Sequence, residues 1–268
     1  VLGWAMECFE KGLLTKEMTD GIDMRWGDVK AAGKMMERIA ARKGIGNLLA
    51  EGVKRASEAI GKTASDMAVY TMKGSTPRGH DHRARWAELF DTCLSNTSTL
   101  EASMGGFRTF LVHQPPLGDQ FSHDELPKVM ADFNGWHQFD DCLGMCRFNL
   151  LFKEAGDLII EVLNAITGWK FGIKDAQMVG RRIVNQLRAF NLRHGLDPAL
   201  EKPSTRYGSM PLDGPAAGIT IMPYWDKMVK SYRTEMGWTQ DTGTPLPATL
   251  RELGLDHLVK DVQDKTQL

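Results

Sequence analysis

No stretch of the sequence approaches the ~18 uninterrupted apolar residues that a membrane-spanning helix requires. The opening Val1-Leu2-Gly3-Trp4-Ala5-Met6-Glu7 has neither a basic flank nor a cleavage-like end. Both absences argue against a helical membrane span or a signal segment and point to a cytoplasmic protein. Charge of one sign is also missing: 33 Lys and Arg stand against 34 Asp and Glu, so no net field draws the chain to nucleic acid or to an anionic membrane. A small-molecule substrate is the default. Cysteine occurs only at Cys8, Cys93, Cys142 and Cys146, too sparse and uneven for a disulfide framework; reduced thiols packed as small apolar residues are the simplest reading. Alternating strand patterns are rare, and Gly218-Ile219-Thr220-Ile221-Met222 before Pro223 is the best short candidate.

What remains is helical periodicity. Gly46 to Gly61 places Leu49, Val53, Ala56 and Ile60 on one face of a helix, with Glu51, Lys54, Arg55 and Glu58 opposite. Asp28 to Arg42 has a good N-cap residue in Asp28 and an expected apolar face of Ala32, Met36 and Ile39, with Gly44 and Gly46 separating the two helices. Asp157 to Ile166 reads as a short buried helix. Asp175 to Arg193 carries a stripe of Val179, Ile183, Leu187 and Phe190, closed by Gly195 and Pro198. The stretches 73–85 and 108–127 lack periodicity and read as loops. These patterns predict an all-α, multihelical architecture with long ordered loops and little strand. A boundary near Ala64 to Met67 would leave residues 1–66 as a small N-terminal unit and 67–268 as a larger C-terminal one. The start, on an apolar helix-like run without methionine, suggests a sequence cut from something longer.

Three local constellations carry chemistry. Lys73-Gly74-Ser75-Thr76-Pro77-Arg78-Gly79-His80-Asp81-His82-Arg83-Ala84-Arg85 concentrates cations and two imidazoles beside glycines that let backbone N–H groups approach a ligand. Such a loop suits phosphate, carboxylate or a polar organic cofactor; a His-x-His metal pair and a plain solvated loop are its rivals. Asp91-Thr92-Cys93-Leu94-Ser95-Asn96-Thr97-Ser98-Thr99-Leu100-Glu101 is dense in small polar side chains, either helix caps or the lining of a cavity. Glu101 is a candidate acid or base if it is buried. Asp140-Asp141-Cys142-Leu143-Gly144-Met145-Cys146 places two cysteines four apart, a weak metal signal alone, because iron–sulfur and zinc sites need four ligands.

Taken in order and spacing, these segments resemble the C-terminal part of the aldehyde:ferredoxin oxidoreductase family. The resemblance runs nearly end to end. It rests on Arg25-Trp26-Gly27-Asp28, on Gly44-Ile45-Gly46-Asn47-Leu48-Leu49-Ala50-Glu51-Gly52-Val53-Lys54-Arg55-Ala56, on Asp141-Cys142-Leu143-Gly144-Met145-Cys146 as the family's Asp-x-x-Gly-Leu-Cys, on Phe190-Asn191-Leu192-Arg193-His194-Gly195, and on the tail from Gly237-Trp238 to Leu253-Gly254-Leu255. The resemblance implies a tungsten or molybdenum atom held by the dithiolenes of two pterins beside a [4Fe–4S] cluster. Three cluster cysteines would lie upstream in a separate N-terminal pterin-binding domain. Cys146 would be the fourth, with Asp141 accepting from pterin N–H groups, Gly144 beside it, and Cys142 a bystander. The chain alone would then retain no cofactor. Lys73, Arg78, His80 and His82 would line the approach for substrate or for pterin or coenzyme A phosphate.

Two departures from the family pattern bear on mechanism. Aldehyde-oxidising members place a histidine after an Arg-Gly pair where this chain has Thr97-Ser98-Thr99-Leu100-Glu101, so Glu101 becomes the candidate proton-transfer group. The Pro77-Arg78-Gly79-His80-Asp81-His82 loop is closer to the branch containing the tungsten subunit of the ATP-independent benzoyl-CoA reductase. No histidine precedes His80, so the metal that some family homodimers hold between subunits is expected to be missing. A ferredoxin or iron–sulfur subunit is the implied electron partner. A non-catalytic helical assembly module is the alternative.

Overall fold

The structure is a computed structural model that describes residues 1–97, 101–102, 119–145 and 155–263. Among these the chain is helical throughout, and strand pairing is limited to two isolated bridges, Thr71 with Pro203 and Trp238 with Pro245. No described helix is long and apolar enough to cross a membrane. The chain divides into two compact units, Val1–His80 with Glu201–Ser209, and Asp81–Leu200 with Met210–Leu268.

The first unit holds α1 (Leu2–Glu10), α2 (Val29–Ala40), α3 (Ile45–Leu49), α4 (Gly52–Ile60) and α5 (Lys62–Asp66). As expected, α2 is capped by Asp28, whose side chain accepts from Ala31 N at 2.9 Å. Its buried face is rotated one residue from the expected one: Ala31 and Met35 are buried, while Met36 is 58% exposed. The single helix expected over Gly46 to Gly61 is two, broken where Gly52 takes φ +86, a left-handed conformation that glycine adopts without strain. Leu49, Val53 and Ala56 still share one core with Trp4, Met24 and Tyr70, since the break rotates the chain without turning its apolar side outward. Gly46 permits the close approach of α3 to the end of α2, because a Cβ there would lie 2.3 Å from the Arg38 backbone. Residues 201–209 are stitched to 67–72 by Ser204, which donates its N–H to Tyr70 O and its hydroxyl to Ala68 O, and to α1 by Arg206 on the Glu7 carboxylate at 2.6 Å.

The second unit holds α6 (Trp86–Leu94), α7 (Leu126–Phe133), α8 (Trp136–Cys142), α9 (Ala155–Thr167), α10 (Ile173–Arg193), α11 (Trp225–Glu235), α12 (Pro247–Glu252) and α13 (Val259–Gln263). The expected strand at Gly218–Met222 is not formed; Ile221 caps a 3-10 turn over Met222–Tyr224 that leads into α11. Of the loop read over 108–127, residues up to 118 lie outside the described set, and α7 starts at Leu126 with Pro127 in its first turn, where a missing N–H costs nothing. The helix expected over Asp157 to Ile166 exists as α9 but is buried on one side only: Ile160 is in the core, while Leu158, Val162 and Ile166 are exposed.

The long helix α10 corrects the expected stripe most clearly. Val179, Ile183 and Leu187 are only half-buried and Phe190 is 51% exposed, whereas Ala176, Gly180, Val184 and Arg188 face the interior. The reason is steric. Gly180 meets Gly135, which stands at the start of α8 with φ +108, and a Cβ on Gly180 would lie 1.8 Å from Gly135 O. The line of closest packing therefore follows the small residues, and the larger aliphatic ones flank it.

This contact yields a paired expectation. Gly180→Ala should destabilise the protein by ~3 kcal/mol through overpacking against backbone. Gly33→Ala, on exposed α2 with open space around it, should stabilise by about 0.5–1 kcal/mol. Denaturant midpoints of the two variants measure this, and equal midpoints would refute the Gly135–Gly180 contact.

Candidate functional site

All nine residues of α6 are buried, and they include Glu88 and Asp91. Two carboxylates three apart share one helix face, and burying them requires donors. For Glu88 these come from just upstream: Arg85 Nη1 donates to Oε1 at 2.5 Å, and His82 Nε2 lies 3.2 Å from Oε2. His82 is delivered by a 3-10 turn over His82–Ala84 whose cap, Asp81, accepts from Arg83 N and pairs with the Arg83 guanidinium at 2.7 Å. That hydrogen bonding holds the Asp81 carboxyl below its ordinary value.

One turn further on, Asp91 accepts from the backbone N–H groups of Glu101 and Ala102 at 2.9 and 3.0 Å. It thereby ties the segment after α6 back onto that helix. Glu101, 1% exposed, accepts from Asn96 N at 2.9 Å, Asn96 Nδ2 at 3.1 Å and Asn134 Nδ2 at 3.1 Å. Asn134 comes from the turn joining α7 to α8, and its Nδ2 also reaches Tyr232 Oη on α11 at 2.5 Å. Burial, then the charges of Glu101 and Asp91, push the Tyr232 hydroxyl well above its ordinary value. Phe90 and Trp238 stand edge-on to that tyrosine, at 5.7 and 6.1 Å between ring centroids. The result is a fixed polar knot, rich in acceptors and sealed by aromatic rings.

The residues singled out in the sequence separate accordingly. His82 and Glu101 both attach to α6, one through Glu88 and the other through Asp91. Lys73 and Arg78 are half-buried and His80 is exposed, all in the first unit. Asp141 is exposed near the end of α8, and Gly144 follows at φ +65 with open space where a Cβ would stand. Cys146 lies outside the described residues. Of the polar run 91–101, residues 98–100 lie outside the described set; among the rest Asp91 holds the backbone of residues 101–102 rather than a helix end, and Asn96 and Glu101 build an interior network. Asn134 and Tyr232 were not legible, since nothing in their local sequence signals a partner 33 or 98 residues away.

A family model described as aldehyde ferredoxin oxidoreductase, domains 2 & 3, matches residues 1–255. The chain belongs to the aldehyde ferredoxin oxidoreductase family. The tungsten-containing aldehyde ferredoxin oxidoreductase of Thermococcus kodakarensis is 31% identical over 95% of this chain and 42% of its own length, so the chain spans less than half of that relative. That of Pyrococcus furiosus matches to the same extent, at 31%, 95% and 42%. An aliphatic sulfonate oxidoreductase, WOR-like subunit, of Pyrococcus furiosus is 31% identical over 98% of this chain and 40% of its own. The fold is shared with a chain of the active-site complex BamBC of benzoyl coenzyme A reductase in complex with 1,5-dienoyl-CoA, with a TM-score of 0.75 and 19% identity over all of this chain and 45% of that one. The all-α fold of domains 2 and 3 is thereby established.

The knot generates two expectations. Asn134→Ala, which removes donors from buried oxygens, should cost about 1–3 kcal/mol, read as a lowered denaturant midpoint; an unchanged midpoint would remove Asn134 from the network. The raised Tyr232 value gives stability that is fully present below the ordinary tyrosine pKa of ~10 and is lost as pH rises through the folded value. Tyrosinate absorbance should therefore show Tyr232 among the tyrosines that ionise only as the protein unfolds in alkali, and that step should lose one tyrosine's amplitude in Tyr232→Phe.

Proposed function

We propose that this chain is the C-terminal part of a tungsten- or molybdenum-bis-pterin, [4Fe–4S] oxidoreductase of the cytoplasm that acts on an aldehyde or an acyl or aromatic thioester. The observation that carries this reading is the family match across residues 1–255, supported by relatives that are named as tungsten-containing oxidoreductases. The metal and cluster, when bound, supply two-electron transfer at the carbonyl or acyl carbon, and electrons pass to a ferredoxin or iron–sulfur subunit.

This chain's own residues bind and orient. Cys146 is the fourth cluster ligand. Asp141, exposed near the end of α8, offers an acceptor-only carboxylate to pterin N–H groups, and the open space at Gly144 lets a ring system come close to the backbone. Glu101 is the proton acceptor. What supports it is its burial among three N–H donations from Asn96 and Asn134, which hold one orientation of the carboxylate. Lys73, Arg78 and His80 meet the anionic part of substrate or cofactor, while His82 stays sealed against the Glu88 carboxylate. The remaining cluster ligands and the pterin cradle come from an N-terminal domain, so residues 1–268 alone retain neither metal nor cluster and have no activity.

Elemental mass spectrometry and the visible spectrum of the anaerobically purified complete gene product, beside this chain, test the reading. Tungsten or molybdenum with about four irons per protein is expected in the former and none in the latter. Cys146→Ala should lose the cluster, and Glu101→Gln should keep both metals while turnover falls by about 10²-fold or more. A complete product free of both metals would overturn the assignment.

A further inference from the structure

The helix α9, Ala-Gly-Asp-Leu-Ile-Ile-Glu-Val-Leu-Asn-Ala-Ile-Thr, is apolar along two adjoining rows. One row is accounted for: Ile160 is buried, and Ile159 and Leu163 pack with it on Trp136, Phe139 and Ala176. The other carries Leu158, Val162 and Ile166 at steps of four, 48%, 47% and 79% exposed. Three large apolar side chains in one open row mark an interaction surface. Exposed Asp157 and Glu161 supply the polar rim.

We propose that this face of α9 is the docking surface for the part of the family polypeptide outside domains 2 and 3. Two observations choose that occupant over a second copy or a separate subunit. This chain corresponds to only 42% of the length of its tungsten-containing relatives, and the matching family model is of domains 2 and 3, so another large segment of those proteins must pack somewhere on these two. The stripe also begins within a dozen or so residues of Cys146, the last residue of the Asp141-to-Cys146 run. Here the inference rests on the reading given under Proposed function: if Cys146 shares a cluster with ligands from outside this chain, those ligands come with that segment, within a dozen residues of chain from α9. An open apolar face there holds the incoming domain through nonpolar contact.

The test uses this chain and, as a separate tagged polypeptide, the segment encoded upstream of Val1 in its gene. Co-purification is expected, with amide hydrogen exchange in residues 155–169 slowed by about tenfold or more in the complex. Val162→Asp/Ile166→Asp should weaken capture by about tenfold or more while leaving the thermal transition of the isolated chain unchanged, since both side chains are solvent-facing. Full capture by that variant, protection confined to other segments, a stripe already covered in a dimer of this chain, or a gene with no upstream segment would each overturn the proposal. Metal analysis of the same complex separates the two readings: a complex that protects α9 but holds no tungsten, molybdenum or iron sinks the oxidoreductase assignment and leaves the docking surface standing.

Discussion

The interior of the second unit turns on the carboxylate of Asp91. Sealed at 3% exposure on a helix with no exposed side, it is stabilised there by two backbone N–H groups, of Glu101 and Ala102, that point at it. Everything else in the knot follows from that clamp. With residues 101 and 102 held against α6, the Glu101 side chain falls among the amides of Asn96 and Asn134; Asn134 in turn reaches Tyr232, and Tyr232 is wedged among Phe90 and Trp238. Polar and aromatic packing thus form one structure in which no member can be removed without leaving a buried partner unsatisfied. A network of that kind holds side chains in single orientations, as a proton-transfer group requires.

Backbone proximity does for the helices what the carboxylate does for the loop. Because Gly135 and Gly180 let α8 and α10 touch main chain to main chain, the residues around them are held within narrow limits. Asn134, which precedes Gly135, is placed by this contact, and so is the start of the helix that presents Asp141. The outward arms of α10 extend the effect: Arg181 donates to Ala131 O, Arg182 to Leu253 O and Arg188 to Gly243 O. Three guanidinium groups on one helix therefore anchor α7 and two C-terminal turns through carbonyl acceptors. Such charge-assisted bonds specify geometry more tightly than aliphatic contact.

How far the sequence reveals this depends on the range of each interaction. The capping of α2 by Asp28 and the stops at Gly44 and Gly195 are local, and they are read correctly from a few residues. Periodicity found the helices but misjudged which side is buried: Met36, Phe190 and Val162 are apolar yet exposed, while Gly180 and Arg188 are buried, because packing follows shape and hydrogen-bond satisfaction as well as hydropathy. The break at Gly52 was open to local reading, since glycine inside a helical pattern signals a possible left-handed turn. The Asn134–Tyr232 contact and the return of residues 201–209 to the first unit have no local signature, being long-range pairings that only the fold creates. Glu101 was singled out through the resemblance and through the polar run around it, not through any property of its own.

The distribution of chemistry over the chain has a physical logic. Glu101 is sealed inside one unit, whereas Asp141 and Gly144 are exposed. The apolar side of α9 lies in the same unit and is open in the same sense. A row of uncovered aliphatic side chains is costly to leave in water, since it gains roughly 25 cal/mol for each Å² removed from solvent. That free energy is still to be gained at α9, where the family's remaining domain is proposed to close over it.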